Sequence, residues 1–330
     1  MAGVIVACLG LVLSSSGCGS DRPTVKAVTD PLLALVLPNS TSDFWDALRD
    51  AAVAEGQDQA VDVLADATDT NDNGSAQGGR VIALAAEKYD CFVIAPVNTV
   101  QLVSPLLAVA KKNIPILNIG MQLDENAAKS AGLAIASYIA PQHKEVGYLA
   151  ARRMLTAVPA ESQVAMLVGS KTDPSERAQL DGFSEAIGDK LDLLSSEPTD
   201  DDYEKIEKTV TDLLAAKPGL RGIFATSDPA GLAAVKAVKA AGLASEVSVI
   251  SVGGSQQAMR AVEAKELTAT VATYPAFTGS VVIHACQRLV AGGALQPRLT
   301  IPSRLIDSSD VAVELKSYPE PAEQFQDPLS

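Results

Sequence analysis

The sequence predicts an α/β protein of two doubly wound parallel-sheet lobes. Three observations predict it. Short apolar runs such as Leu32–Leu37 carry no in–out alternation, which marks strands buried on both faces. These runs alternate with amphipathic segments of helical period, the βα order that builds parallel sheets wrapped by helices. The alternation occurs twice, once before about residue 140 and once after it.

The elements follow in order. Leu32–Leu37 is a continuous apolar strand, and Asp43–Glu55 is a helix with Ala, Leu and Val at helical spacing behind an N-cap aspartate. Val61–Leu64 is a strand, Ala76–Lys88 a helix, Cys91–Ala95 a strand, Val100–Lys112 a helix and Pro115–Ile119 a strand. The second series runs helix Lys144–Val158, strand Val164–Val168, helix Pro174–Ile187, strand Leu191–Ser195, helix Tyr203–Ala216 and strand Gly222–Thr226. Helix Pro229–Ala241, strand Val247–Val252, helix Gln256–Ala264, strand Thr268–Thr273, helix Phe277–Val290 and strand Leu299–Ile301 complete it. Residues 317–330 carry prolines and no periodicity, which predicts a loose tail.

The 330 residues suffice for two ordinary domains, and 47% hydrophobic with 20% charged residues is a normal globular balance. A net charge of −14 repels phosphate backbones and argues against a nucleic-acid partner. The N-terminal apolar run Val4–Leu13 is too short to span a bilayer and has the length of a signal-peptide core. Ser15-Ser16-Gly17-Cys18 follows it, so residues 1–18 read as a lipoprotein export signal with Cys18 as the lipidated residue, and 19–31 as a tether. The positive n-region is missing, since the first basic residue is Arg22; the alternatives are export without lipidation or a buried N-terminal strand. Cys91 and Cys286 read as buried small hydrophobes rather than a disulfide pair, and zinc-like cysteine spacing is absent.

Ligands of open parallel sheets sit beyond the carboxyl ends of the strands, and two facing lobes place that site in the cleft between them. The candidate loops are therefore Pro38–Trp45, Ala95–Asn98, Gly120–Gln122, Gly169–Gln179, Ser227–Pro229, Gly253–Ser255 and Thr273–Pro275.

Within those loops and strands, an ordered set of short pieces carries a resemblance. The pieces are Leu33–Leu37 followed by Asp43-Phe44-Trp45, then Ile114–Asn118, then Gly182–Ala186. Leu213–Pro218 leading to Ile223–Asp228 follows, and Leu267–Thr273 with Pro275 and Gly279 ends the set. From about Leu32 to Asp307 the chain resembles the ribose-type (cluster B) periplasmic sugar-binding proteins that feed ABC importers, of the type I fold. The resemblance implies a three-stranded hinge, with crossovers near Ala140–Gln142, Thr273–Tyr274 and Pro302–Ser303. It implies an N-terminal lobe of 32–140 plus 274–302 and a C-terminal lobe of 141–273 plus 303–316. It also implies no catalysis, no cofactor, a monomer that closes on a small sugar or polyol, and a membrane permease as partner.

Several polar positions of that family are changed here. Ser42 stands for an asparagine, Ala95 for another, and Gly120-Met121 for an Asp-Arg pair. Gln179 replaces an arginine, while Arg177 matches a separate one; Ser227 replaces asparagine, Gly253 aspartate and Thr273 glutamine. A buried sugar hydroxyl without a partner costs about 1–3 kcal/mol, so these changes alter which ligand fits. The expected ligand-binding residues are Ser42, Phe44, Trp45, Met121, Gln179, Ser227, Asp228 and Thr273. Asn98, Gln122, Gln142, Asp173, Ser255 and Tyr274 are possible substitutes for the lost polar groups. Three outcomes stay open: a larger or less polar ligand, a sugar held by these substitutes, or a cleft that has lost tight binding and serves sensing.

Other signals are bland. Asp69–Gly74 looks like half a calcium loop, but its twelfth position is Arg80 instead of an acid, so no metal site is expected. Asp200-Asp201-Asp202 reads as a solvated helix start. His143 lies beside the first crossover, within reach of the cleft, and His284 in mid-helix; no nucleophile motif, P-loop or dinucleotide fingerprint accompanies them.

Overall fold

The computed structural model describes residues 30–39, 43–68, 74–169, 173–194, 199 and 202–330. Cys18, Ser42, the Asp69–Asn73 stretch and Asp200-Asp201 lie outside the described residues. In chain order the first elements are β1 (Leu32–Asn39), α1 (Asp43–Asp58), β2 (Asp62–Thr68), α2 (Gly74–Leu84), β3 (Cys91–Ile94) and α3 (Val103–Ala110). Next come β4 (Ile116–Ile119), α4 (Glu125–Ala131), β5 (Ser137–Pro141), α5 (His143–Ala157), β6 (Gln163–Leu167), α6 (Pro174–Ile187) and β7 (Asp192–Leu194). Then follow α7 (Tyr203–Ala216), β8 (Leu220–Ala225), α8 (Asp228–Ala240), β9 (Ser248–Gly253), α9 (Gln256–Glu263) and β10 (Ala269–Ala272). The chain closes with α10 (Pro275–Val290), β11 (Arg298–Ile301), β12 (Arg304–Asp307) and α11 (Val311–Ser317).

Two six-stranded sheets form, in the orders β11-β5-β4-β3-β1-β2 and β12-β10-β9-β8-β6-β7. Every pairing is parallel except β10 with β12. Strands β3, β4 and β10 are buried along their whole length, as continuous apolar runs between two helical layers must be. Each sheet has an apolar core on both faces. The chain passes between the sheets at Pro141–His143, Ala272–Pro275 and Ile301–Arg304.

α4, β5, β12 and α11 are absent from the sequence-based reading. Each is short, and none presents a full period of apolar residues. α6 and α7 have the bounds the sequence predicts, because Asp173 and Asp202 accept from Ser175 N and Lys205 N as N-caps.

The two cysteines correct an expectation. Cys91 on β3 and Cys286 on α10 are both about 1% exposed, as buried hydrophobes would be. They are nevertheless joined as a disulfide, with Cα atoms 5.8 Å apart across a sequence separation of 195 residues. The returning helix α10 is brought down over the first sheet from far along the chain, which spacing alone does not reveal.

The C-terminal segment is also not loose. After α11 the chain leaves the second lobe and runs back over the first. Phe325 packs on Tyr274 and Phe277, with ring centroids 4.9 and 5.7 Å away, and Leu329 packs against the first lobe's core. Asp327 bonds to His284 Nδ1, while His284 Nε2 meets Glu55 at 2.9 Å. Burial alone would lower the His284 pKa, but the hydrogen bonds to Glu55 and Asp327 together outweigh it and raise the value above its usual position. A raised folded-state pKa means that this clamp's contribution is complete below the ordinary histidine pKa of about 6.5 and is lost as pH rises through the folded value. Loss of the clamp on going to pH 8.5 is expected to cost no more than about 1 kcal/mol, the scale of part-exposed pairs. Thermal unfolding of wild type and His284→Gln across pH 5.5–8.5 checks this: the wild-type advantage should shrink with rising pH, and a constant advantage would contradict it.

Candidate functional site

The parallel strands of each lobe end on one edge, and the described loops after β3, β4, β8 and β9 lie there. In the first lobe, α1 starts at this edge and presents Phe44 and Trp45, half-buried and edge-to-face at 5.0 Å. Trp45 lies directly against Gly120: a Cβ built on Gly120 would stand 2.7 Å from the far edge of the indole, and its φ of +64° favours glycine as well. The ring therefore occupies the space that a side chain after β4 would fill. Met121 is half-buried beside it, its carbonyl accepting from Asn118 Nδ2 at 2.9 Å.

In the second lobe several of the expected contact residues are engaged in bonds within their own lobe. Asp228 is 2% exposed and turned into its own lobe. One carboxylate oxygen accepts from Ser251 Oγ and Thr270 Oγ1, and the other from Ser255 N at 2.7 Å, so both are occupied in joining β9, β10 and the next loop. A Cβ on Gly253 would lie 2.5 Å from that carboxylate, so the glycine there is a packing necessity. Ser227, Asp173 and Ser255 spend their oxygens as N-caps of α8, α6 and α9, and Asn98 caps a turn. Thr273 is mostly buried, with its hydroxyl 3.5 Å from Gly253 O. Gln122 binds Glu125, and Gln142 is exposed at the first crossover. The Tyr274 hydroxyl is buried beside a void of about 10 Å³ lined by Gly254, Glu314 and Tyr318; that is room for about one water.

Gln179 behaves differently. It is 6% exposed, and its Oε1 has no hydrogen-bond partner among the described residues. One turn earlier on the same face of α6, Ser175 Oγ lies 3.5 Å from Tyr138 Oη of the first lobe. Tyr138 donates to Gly120 O at 2.7 Å and lies 3.1 Å from His143 Nε2. Tyr138, His143 and Ser175 thus knit the cleft floor to the first crossover. Glu176, also buried, accepts from Thr226 Oγ1 at 2.8 Å. Burial is the main cause that raises Tyr138 to about 12 and Asp173 above the usual carboxylate range. His143 is lowered to about 4 by burial first and by the Arg298 charge second. Sequence reasoning missed Tyr138, Ser175 and Glu176. The only local signal for the first was the five-residue strand Ser137–Pro141, and for the others the polar first turn behind Asp173.

Among the described residues no cluster of His, Cys, Asp or Glu is arranged to hold a metal ion, and no helix is long and apolar enough to cross a membrane.

Two α/β lobes joined by three crossings are the architecture of a class of proteins that enclose a small molecule between their lobes. A family model described as a periplasmic binding protein domain matches residues 33–294, and the chain belongs to that family. It is 27% identical over 304 residues to the D-allose-binding periplasmic protein of Escherichia coli, covering 91% of this chain and 94% of that one. It is 24% identical to the ribose import binding protein of Haemophilus influenzae, covering 90% and 95% of the two chains. Its fold is that of a solute-binding protein from Actinobacillus succinogenes with bound D-allose (TM-score 0.81, 22% identity, covering 86% and 99%). One from Agrobacterium vitis with bound D-fucose is also similar (TM-score 0.78, 23% identity, covering 86% and 98%).

Proposed function

We propose that this protein captures a neutral sugar outside the cytoplasm and delivers it to an ABC permease. The observation that carries this reading is the pair of edge-to-face rings Phe44 and Trp45 at the strand-end edge of one lobe, with buried polar groups on α6 of the other and Tyr138 and Ser175 meeting between them. Aromatic faces match the apolar sides of a sugar ring and polar groups its hydroxyls. Family membership and relatives that bind D-allose support it. The lobes divide as 32–140 plus 274–302 and 141–273 plus 303–316, and closure about the three crossings buries the ligand. The protein acts as a monomer tethered through lipid on Cys18; a disulfide, which persists in oxidising compartments, fits that location. The family's Asp-Arg pair is replaced by Gly120-Met121, with Trp45 in the space, so the preferred sugar differs from ribose and galactose.

Ligand that binds only the folded state raises its stability by about 2.7 kcal/mol at 100 times the Kd. A thermal-shift panel of D-allose, D-fucose, D-tagatose, D-ribose and D-galactose should give a clear rise for at least one sugar, with ribose and galactose weakest. Silence across the panel would refute the reading, and a micromolar response to ribose or galactose would refute the altered preference.

A further inference from the structure

We infer that residues 318–330 form a strap that ties the two lobes together beside the hinge and holds the cleft near closure, acting through the strained crossing residue Tyr274. This rests on the hinged reading above and not on which ligand the cleft takes.

The strap has an anchor on each lobe. On the second lobe Ala322 N donates to Glu314 Oε2 at 3.3 Å, and Glu323 pairs with Arg304 at 3.1 Å. Arg304 opens β12 directly after the third crossing. On the first lobe Asp327 bonds to His284 of α10, Arg288 donates to Leu329 O at 3.3 Å, and the Leu329 side chain packs on the core. Only residues 324–326 separate Glu323 from Asp327. Even fully extended, that stretch reaches no more than about 14 Å. Opening that carries Arg304 away from α10 beyond this reach breaks an anchor.

Between the anchors lies the second crossing. Tyr274 there has a φ of +46°, a left-handed conformation that bulky side chains seldom adopt. Backbone strain of this kind persists only where the surroundings over-determine it. Phe325 supplies such surroundings: its ring lies edge-on to Tyr274 at 4.9 Å and to Phe277 at 5.7 Å. Tyr274 also sits where the lobes part. Thr273 N bonds to Gly253 O in the second sheet, while Thr278 N bonds to Tyr274 O in the first turn of α10. A large change of φ and ψ at one such residue is how a hinge turns. Phe325 therefore locks the crossing from outside the cleft.

The lobes stand close together in this arrangement. Ser175 and Tyr138 meet at 3.5 Å, and Gln257 Nε2 of α9 donates to Asp43 Oδ2 of α1 at 3.4 Å. Both contacts are long for hydrogen bonds and hold the lobes only weakly. The strap adds an apolar ring contact and an ion pair to them. By raising the fraction of molecules with the lobes together, it raises the apparent affinity, which scales with that fraction.

The test uses the full chain without ligand. Small-angle scattering and amide hydrogen exchange compare wild type with Phe325→Ala and with the double variant Asp327→Ala, Leu329→Ala, all at part-exposed positions. Both variants should have a larger radius of gyration than wild type. Exchange at the Thr273 and Thr278 amides should quicken about 10-fold, while Leu35 in β1 and Ala165 in β6 keep wild-type rates. A radius equal to wild type overturns the inference. So does exchange that stays unchanged at Thr273 and Thr278, or that quickens equally in both sheets, which would make the segment a general stabiliser. If one variant fails to fold, the other decides; failure of both to fold also overturns it. Because no ligand enters, a silent sugar panel leaves the result standing, and variants that behave as wild type refute the strap whatever the cleft binds.

Discussion

Removing the disulfide, as Cys91→Ala with Cys286→Ala, is expected to lower the unfolding temperature of the first lobe by roughly 10 °C, from about 2–5 kcal/mol of lost stabilisation. The size comes from what the bond closes. Cys91 lies on a central strand of the first sheet, and Cys286 on the helix that returns after the whole second lobe, a separation of 195 residues. An unfolded chain without the link gains the full freedom of that loop, and the cost grows with the logarithm of its length. Both sulfurs sit in an apolar core among Val93, Leu117 and Val282, so the alanines keep the surroundings apolar. Reductant added during unfolding should reproduce the effect in wild type. Two free thiols at these positions in denatured, unreduced protein, with melting unaffected by reductant, would contradict it.

The second large effect is expected at the contact of α5 and α6. A Cβ on Gly147 would lie 2.0 Å from Gln179 O and 2.7 Å from Phe183 N, and one on Gly182 would lie 2.0 Å from Lys144 O. These are backbone atoms, so no rotamer change relieves the clash and the helices must separate. Gly147→Val is expected to cost roughly 3 kcal/mol, the upper end of overpacking. It should also weaken sugar binding, because α6 carries Ser175 and Gln179. Gly79→Ala on α2 is the control: a Cβ there meets nothing within 4 Å, and helix propensity favours alanine by about 1 kcal/mol. Denaturant unfolding of both variants decides it; equal stability would show that the helices are not in such close contact.

Much of the fold was legible because its strands are apolar on both faces and its helices start on strong caps. Asp173 with Pro174, and Asp202 before Tyr203, set helix bounds that the structure reproduces. The short strands β5 and β12 carry no legible signal because five and four residues are too few to establish a period. The site was less legible for a related reason. Asp, Ser and Asn at strand-to-helix junctions are the residues that cap helices, so a sequence does not separate a cap from a ligand contact. Ser227, Ser255 and Asp173 prove to be caps, and Asp228 a buried tie. Phe44 and Trp45 pack edge-to-face with Trp45 against Gly120, and Gln179 Oε1 has no partner among the described residues. The disulfide and the Tyr138 crossing depend on contacts between distant parts of the chain, which local pattern does not encode.

Closure of the two lobes on a neutral sugar is most directly tested by small-angle scattering of the full chain during a titration with the best-binding sugar of the panel. The radius of gyration should fall with the same saturation curve as Trp45 fluorescence, as both lobes move onto the ligand. Saturable binding with an unchanged scattering profile would mean that the lobes do not hinge around their guest.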